Sequence, residues 1–145
     1  MTEIERLAED LRRAYDGSPW HGSAVTAILD GVNAAQAAAR PIPDAHTIWE
    51  LTLHMAAWAG EATRRLSGAS PAEPVEGDWP ATPPAPDDAA WAAARLQLAE
   101  AHAELTGTVA ARDTLSDLEA FTVNGVLQHH AYHAGQVSLL RKLVS

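Results

Sequence analysis

Residues 68–86, GASPAEPVEGDWPATPPAP, hold six of the nine prolines in the chain. Proline has no amide proton to donate and clashes with the preceding turn, so this stretch is a connector and not a helix. A connector this long is unusual in a compact domain: it either moves freely or runs from one end of the molecule to the other. Trp79 at its centre predicts that part of it docks. On either side alanine is abundant and runs of β-branched residues are missing, a composition that favours helix.

The apolar spacing predicts four long helices. The first covers residues 2–15, with Ile4, Leu7, Leu11, Ala14 and Tyr15 on one face. GSPWHGS breaks it, and short helical pieces follow over 23–30 and 33–38 before Pro41 and Pro43. The second begins near Thr47, where Thr47 and Glu50 fit a capping box, and ends before Gly68. Its apolar stripe runs through Ile48, Leu51, Met55, Trp58, Ala62 and Leu66. The third covers 88–111 after a cap at Asp87 or Asp88, and a polar break over 112–117 separates it from the last, 122–143. Four apolar stripes are buried by an all-α four-helix bundle, here a single domain over 1–145 with a small helical insertion after the first helix. The long crossover between helices two and three lets those two run parallel.

The net charge of −9 repels polyanions, and the adjacent basic residues, Arg12 with Arg13, Arg64 with Arg65 and Arg141 with Lys142, are separate pairs that form no basic face, so nucleic acid is not an expected partner. The chain has no cysteine, which excludes disulfides, thiolate nucleophiles and thiolate metal ligands. Its charged start is not a secretory signal, and no apolar run is long enough for a bilayer. A soluble cytoplasmic protein is expected, with no membrane partner.

Three of the seven histidines lie within LQHHAYHAGQ, residues 127–136. A helix turns about 100° per residue, which places His133 about 40° from His129, and Gln136, Leu140, Val126 and Leu143 within about 60° of it. His129 and His133 therefore share the face expected to point inward, with His130 about 100° away on the flank. Imidazoles at i and i+4 can converge on one ion. They can also be core or cleft residues bonded to carbonyls or water, or exposed if the helix is rotated. His54, between Leu51 and Trp58 at the border of the second helix's stripe, would complete a three-nitrogen site with open positions for water or substrate. Glu50, one turn earlier, either orients His54, accepts a proton, or simply caps its helix. Gln136 is placed to bond a ligand histidine, and His21 to line the mouth of the site or to serve as a turn residue. His46 and His102 are expected at the surface or on a flank. Tyr132 and Trp58 are candidate pocket walls, with core packing the first expectation for Trp58.

WHGSAV (20–25), TIWELTLHMAAW (47–58), the proline-rich crossover and above all HHAYHAGQVSLLRK (129–142) resemble the DinB-like (YfiT-like) superfamily of metal-dependent enzymes, over essentially the whole chain. The resemblance implies an up-down-down-up bundle, frequent homodimers, and a divalent metal on three histidines, whose positions are matched by His54, His129 and His133. Zn²⁺ or Ni²⁺ suits imidazole ligands, and Fe²⁺ and Mn²⁺ are also compatible. It further implies an enzyme acting on a small-molecule substrate, as a thiol S-transferase or a hydrolase; without cysteine, any thiol nucleophile is an external low-molecular-weight thiol. The alternatives are a non-catalytic metal-binding or stress-response protein with the same ligands, and a metal-free helical dimerisation module.

Overall fold

The computed structural model describes residues 1–145 and is all-helical, without strands. Six helices follow in order: α1 (Glu3–Asp16), α2 (Val25–Leu29), α3 (Ala34–Ala38), α4 (Ile48–Leu66), α5 (Asp88–Ala110) and α6 (Asp117–Val144). Local chemistry sets their starts. Thr2, Thr47 and Ser116 each close a capping box with a glutamate three residues on, so two orphan amides are satisfied at each of these ends. Asp87 caps α5 through the Ala90 amide.

The last helix begins five residues earlier than the apolar spacing suggests, at Asp117 and not Thr122. The expected polar break contains the cap itself. Ser116 accepts from the Glu119 amide, Glu119 returns to the Ser116 amide, and Arg112 pairs with the same carboxylate. Asp117, the last residue of the expected break, opens the first turn of the helix, and Ser116 before it is the cap.

Among the long helices, α4 contacts α5 and α6, and α1 contacts the same two. The small helices fill the remaining edges: α2 rests on α1 and α6, and α3 on α4 and α5. Arg141 holds α2 from α6 by donating to the Ala27 and Ile28 carbonyls. Trp91, fully buried, donates its indole N–H to the Val32 carbonyl and leans on Trp49.

The core has two apolar clusters. One joins Ile48, Trp49, Trp91, Leu98, Val137 and Leu140. The other joins Leu7, Leu11, Leu66, Leu105, Val109 and Val123. Along α5 the division falls between Leu98 and Leu105, where His102 lies; along α6 it falls between Val126 and Ala134, where His129, His130 and His133 lie. Histidines thus occupy the level at which the core changes hands.

Two of these correct the sequence expectation. His102 and His130, assigned to a flank or the surface, are both buried, His130 almost completely. Helix α6 is pressed by α4 on one side and by α1 and α2 on another, so its buried arc is wider than one stripe and is centred nearer His130 than His129. The two imidazoles bond across the molecule, His102 Nδ1 to His130 Nε2 at 3.1 Å, and Tyr15 stacks on His102 at 4.5 Å. The outward nitrogens, His102 Nε2 and His130 Nδ1, have no partner.

The crossover is pinned at its start. Glu61, buried on α4, pairs with Arg64 and Arg65 and accepts from the Ala72 amide. The two arginines reach on to the Ser70 and Ala72 carbonyls. The Arg64 contact first, then the Ala72 amide and Arg65 against the opposing cost of burial, hold the Glu61 carboxyl down at about 2.

The buried dyad gives a pH prediction. Burial, with neighbouring His102 next, pushes His130 down from the ordinary 6.5 to about 3, and burial likewise lowers His102. Below pH 6.5 the unfolded chain takes up protons that the folded chain refuses, so stability falls as pH falls, by up to about 1.4 kcal/mol per pH unit for each such histidine. The double variant His102→Leu/His130→Leu replaces a half-satisfied polar pair by apolar side chains; it should fold with near-parental stability at neutral pH. Its denaturation midpoint should decline less steeply between neutral pH and about pH 4 than that of the parent; an unchanged slope would place the acid sensitivity elsewhere.

Candidate metal centre

His54 comes to the site because α4 buries Leu51, Met55 and Ala56 around it, leaving its ring 5% exposed and facing α6. Helix α6 supplies His129 and His133 one turn apart, the first half-buried and the second buried. The three rings turn their Nε2 atoms together. His129 Nε2 lies 2.9 Å from that of His54 and 3.0 Å from that of His133. A ligand atom from each lies within 4.8 Å of those of the other two, and the three side chains together could hold a metal ion.

The outer nitrogens decide what the inner ones carry. His54 Nδ1 meets the backbone carbonyl of Asp78, which only accepts, so the proton is on Nδ1 and Nε2 presents a lone pair. His133 Nδ1 donates to Gln136 Oε1 at 2.6 Å, with the same consequence. His129 Nδ1 is buried without a partner. Even with its proton on Nε2, His129 could satisfy only one of its two neighbours. At least two imidazole lone pairs therefore point at a shared centre with one proton or none to share. Burial first, then His133 and His54, push His129 down to about 4, and burial also lowers His133 against the support of Gln136. Both are neutral near pH 7, the state in which imidazole is a ligand. Nitrogens about 3 Å apart suit a single ion with bonds of about 2.0–2.1 Å, so the residues present fit a divalent metal.

The crossover closes one side. Asp78 brings its carbonyl to His54 and its carboxylate Oδ1 to the Trp58 indole N–H at 2.8 Å. Trp79 lies flat between two imidazoles, 3.8 Å from the His54 ring and 3.4 Å from that of His46. Neither residue was among the sequence candidates. The tryptophan within the prolines signalled docking, but nothing local in the chain signals that its partner is His54.

A cavity lies on each side of the triad. One, of about 370 Å³, reaches His54 and His129 and is walled by Trp58, Ala62, Phe121 and Val126, with Glu61, Arg65 and Asp78 as charged groups. The other, of about 490 Å³, reaches His133 and Gln136 and is walled by Leu51, Trp79, Tyr132 and Leu139. Trp58, first expected in the core, is half-buried and lines the first cavity; Tyr132 lines the second. Glu50 is occupied elsewhere: Arg40, His46 and the Thr47 amide share its carboxylate, and it makes no bond to His54. Against the upward push of burial, these partners hold its carboxyl below the ordinary range. His21 is exposed in the turn before α2 and lines neither cavity.

No curated protein and no solved structure gave a match to the chain. A family model did: residues 20–137, from the WHG turn through α6 past Gln136, match that of the DinB superfamily. With most of its length matched, and with the triad inside the matched span, the chain belongs to the DinB superfamily.

Proposed function

We propose that this protein binds one divalent metal ion through His54, His129 and His133, and that it is a metal-dependent enzyme acting on a small molecule, by thiol transfer to an electrophile or by hydrolysis. The observation that carries the reading is the convergence of three Nε2 atoms, two of them held as lone-pair donors by the Asp78 carbonyl and Gln136. Neutral imidazoles without thiolate favour Zn²⁺ or Ni²⁺, with Fe²⁺ and Mn²⁺ admitted by supply and geometry. When present, such an ion supplies Lewis acidity, which lowers the pKa of a thiol or water to near neutrality.

The chain's own groups define the rest. The Asp78 carbonyl and Gln136 keep the protons on the outer nitrogens of His54 and His133, fixing ring direction as well as tautomer. Trp79 covers the face of His54 and limits solvent there. The two cavities flanking the triad favour an enzyme over a storage or stress-response protein, since a purely structural ion needs no adjoining space. With no cysteine in the chain, a reacting thiol is a low-molecular-weight thiol bound from solution. A soluble location in the cytoplasm suits that chemistry.

The helix directions belong to the same reading, as up-down-down-up. Ile48 and Trp91, near the starts of α4 and α5, share a cluster with Leu140 near the end of α6. Leu66 and Val109, near the ends of α4 and α5, share the other with Ile4 and Val123 near the starts of α1 and α6.

Untagged protein, stripped by chelator and titrated with Zn²⁺ or Ni²⁺ by calorimetry, should take up one ion per chain. Each of His54→Ala, His129→Ala and His133→Ala should weaken binding by more than the 10–100-fold that the loss of an outer partner typically costs. Full-affinity binding by His129→Ala and His133→Ala would remove the ligand assignment. Gln136→Leu should lower affinity by about 10–100-fold while Gln136→Glu largely keeps it; equal affinities in the two would mean that the amide does not orient His133. In a screen of metal-loaded protein with thiols and electrophiles, turnover should appear and should vanish in His54→Ala, whereas stoichiometric binding without turnover would favour the non-catalytic alternative.

A further inference from the structure

The two cavities beside the triad differ in charge. The one at His133 has no arginine or lysine in its wall and carries the Asp44 carboxylate. The one at His54 and His129 carries Arg65 together with Glu61 and Asp78. Around Arg65 these charges do not cancel. Glu61 is shared by two guanidinium groups, those of Arg64 and Arg65, so one carboxylate leaves one positive charge over. Arg64 grips it with both Nε and Nη2. Arg65 reaches it with Nε alone, at 3.1 Å, and gives Nη2 to the Ala72 carbonyl. Its Nη1 makes no bond within the chain, and its guanidinium lies over the Trp58 ring at 5.8 Å. A guanidinium with N–H donors to spare takes carboxylates and phosphates. One surplus charge, with Asp78 at the other end of the cavity, suits a carboxylate better than a phosphate dianion.

The cavity wall sets the size of the ligand. His54, Trp58, Ala62 and Arg65 follow one another along a single stripe of α4 at steps of three and four. The Trp58 ring is 6.5 Å from that of His54, and the Arg65 guanidinium a further 5.8 Å from Trp58. The seat for an anion is therefore a short stem away from the triad. Opposite this stripe α6 sets Phe121, Gly125 and Val126. Glycine is a poor choice for a helix interior, and a Cβ at position 125 would meet nothing within 4 Å. No packing inside the chain calls for that glycine, whereas its bare backbone keeps the cavity open.

We propose that the cavity between α4 and the first half of α6 binds a small carboxylic acid, with its carboxylate on Arg65, its apolar stem against Trp58 and Phe121, and its other end at His54 and His129. Arg65 is then the residue that selects the substrate. As the substrate class of a metal-dependent enzyme, this rests on the reading of the triad given above. The seat on Arg65 itself stands on the charges and the cavity, and is present whether or not an ion is bound.

3-Phenylpropanoate and its uncharged amide are matched probes. Calorimetry on the full chain, both stripped of metal and carrying Zn²⁺, should show the acid binding about tenfold tighter than the amide, the worth of one charge-assisted hydrogen bond. The stripped chain is the decisive arm, since there no ion can hold the carboxylate. In it Arg65→Gln should erase the difference, and Arg65→Lys, which keeps the charge and loses the fork, should keep part of it. Acid and amide that bind equally, or an acid that does not bind at millimolar concentration, would overturn the proposal, as would a preference for the acid that survives Arg65→Gln. Tighter binding of 2-phenylethyl phosphate would overturn the choice of a carboxylate. Because Arg65 also holds the crossover, a second variant leaves it in place. Gly125→Leu, whose side chain enters the cavity, should abolish binding of the acid with no fall in melting temperature and with Zn²⁺ still taken up. A Gly125→Leu protein that binds the acid as the parent does would move the acid out of this cavity and overturn the proposal. Loss of Zn²⁺ uptake with the acid still held by Arg65 would sink the triad reading alone.

Discussion

Imidazoles that turn their lone pairs toward one point repel each other unless something positive lies between them. In this protein that constraint is imposed from outside the triad. The Asp78 carbonyl accepts from His54 Nδ1–H and Gln136 Oε1 from His133 Nδ1–H, so the inner nitrogens have little freedom to satisfy one another. A buried, unpartnered His129 Nδ1 adds to the imbalance. Polar groups are rarely buried in such a state without a ligand that repays the desolvation.

The rest of the fold holds that arrangement in place. Helix α4 presents His54 because its other faces are consumed by the core. The crossover leaves α4 under the grip of Glu61, Arg64 and Arg65, and returns Asp78 and Trp79 to His54. The His102–His130 bond ties α5 to α6 at the level where the apolar core divides. It acts on the same turn of α6 that carries His129, and so bears on the rotation of that helix. Its buried, unpartnered nitrogens make it a costly brace, in keeping with a role in orientation more than in stability.

What could be read from the sequence was whatever is local. Capping boxes at Thr47 and helical spacing through Leu66 placed α4 nearly to the residue, and Ser116 with Glu119 carried the same signal for α6, although the charges around it read as a loop. His54, His129 and His133 could be grouped because periodicity and resemblance agreed. The rotation of α6 could not be read, because the width of its buried face is set by α1 and α2 as well as by α4; His130 was misplaced for that reason, and His102 because the groups that cover it, Tyr15 and His130, lie on other helices. Asp78 was invisible because it acts through a backbone carbonyl, which any residue could supply, across 24 positions of chain. Glu50 illustrates the converse: a carboxylate one turn from a candidate ligand looked available, and Arg40 and His46 have already engaged it.

The central claim concerns where three protons sit, and nitrogen-15 NMR of the histidine rings reads that directly. In metal-free protein at neutral pH, His54 and His133 should show the tautomer protonated at Nδ1, with Nε2 shifts of an unprotonated nitrogen. Addition of one equivalent of a diamagnetic divalent ion should move the Nε2 resonances of His54, His129 and His133 together. Protonation of His54 and His133 at Nε2 in the metal-free protein, or an ion that leaves any of the three Nε2 resonances in place, would contradict the account.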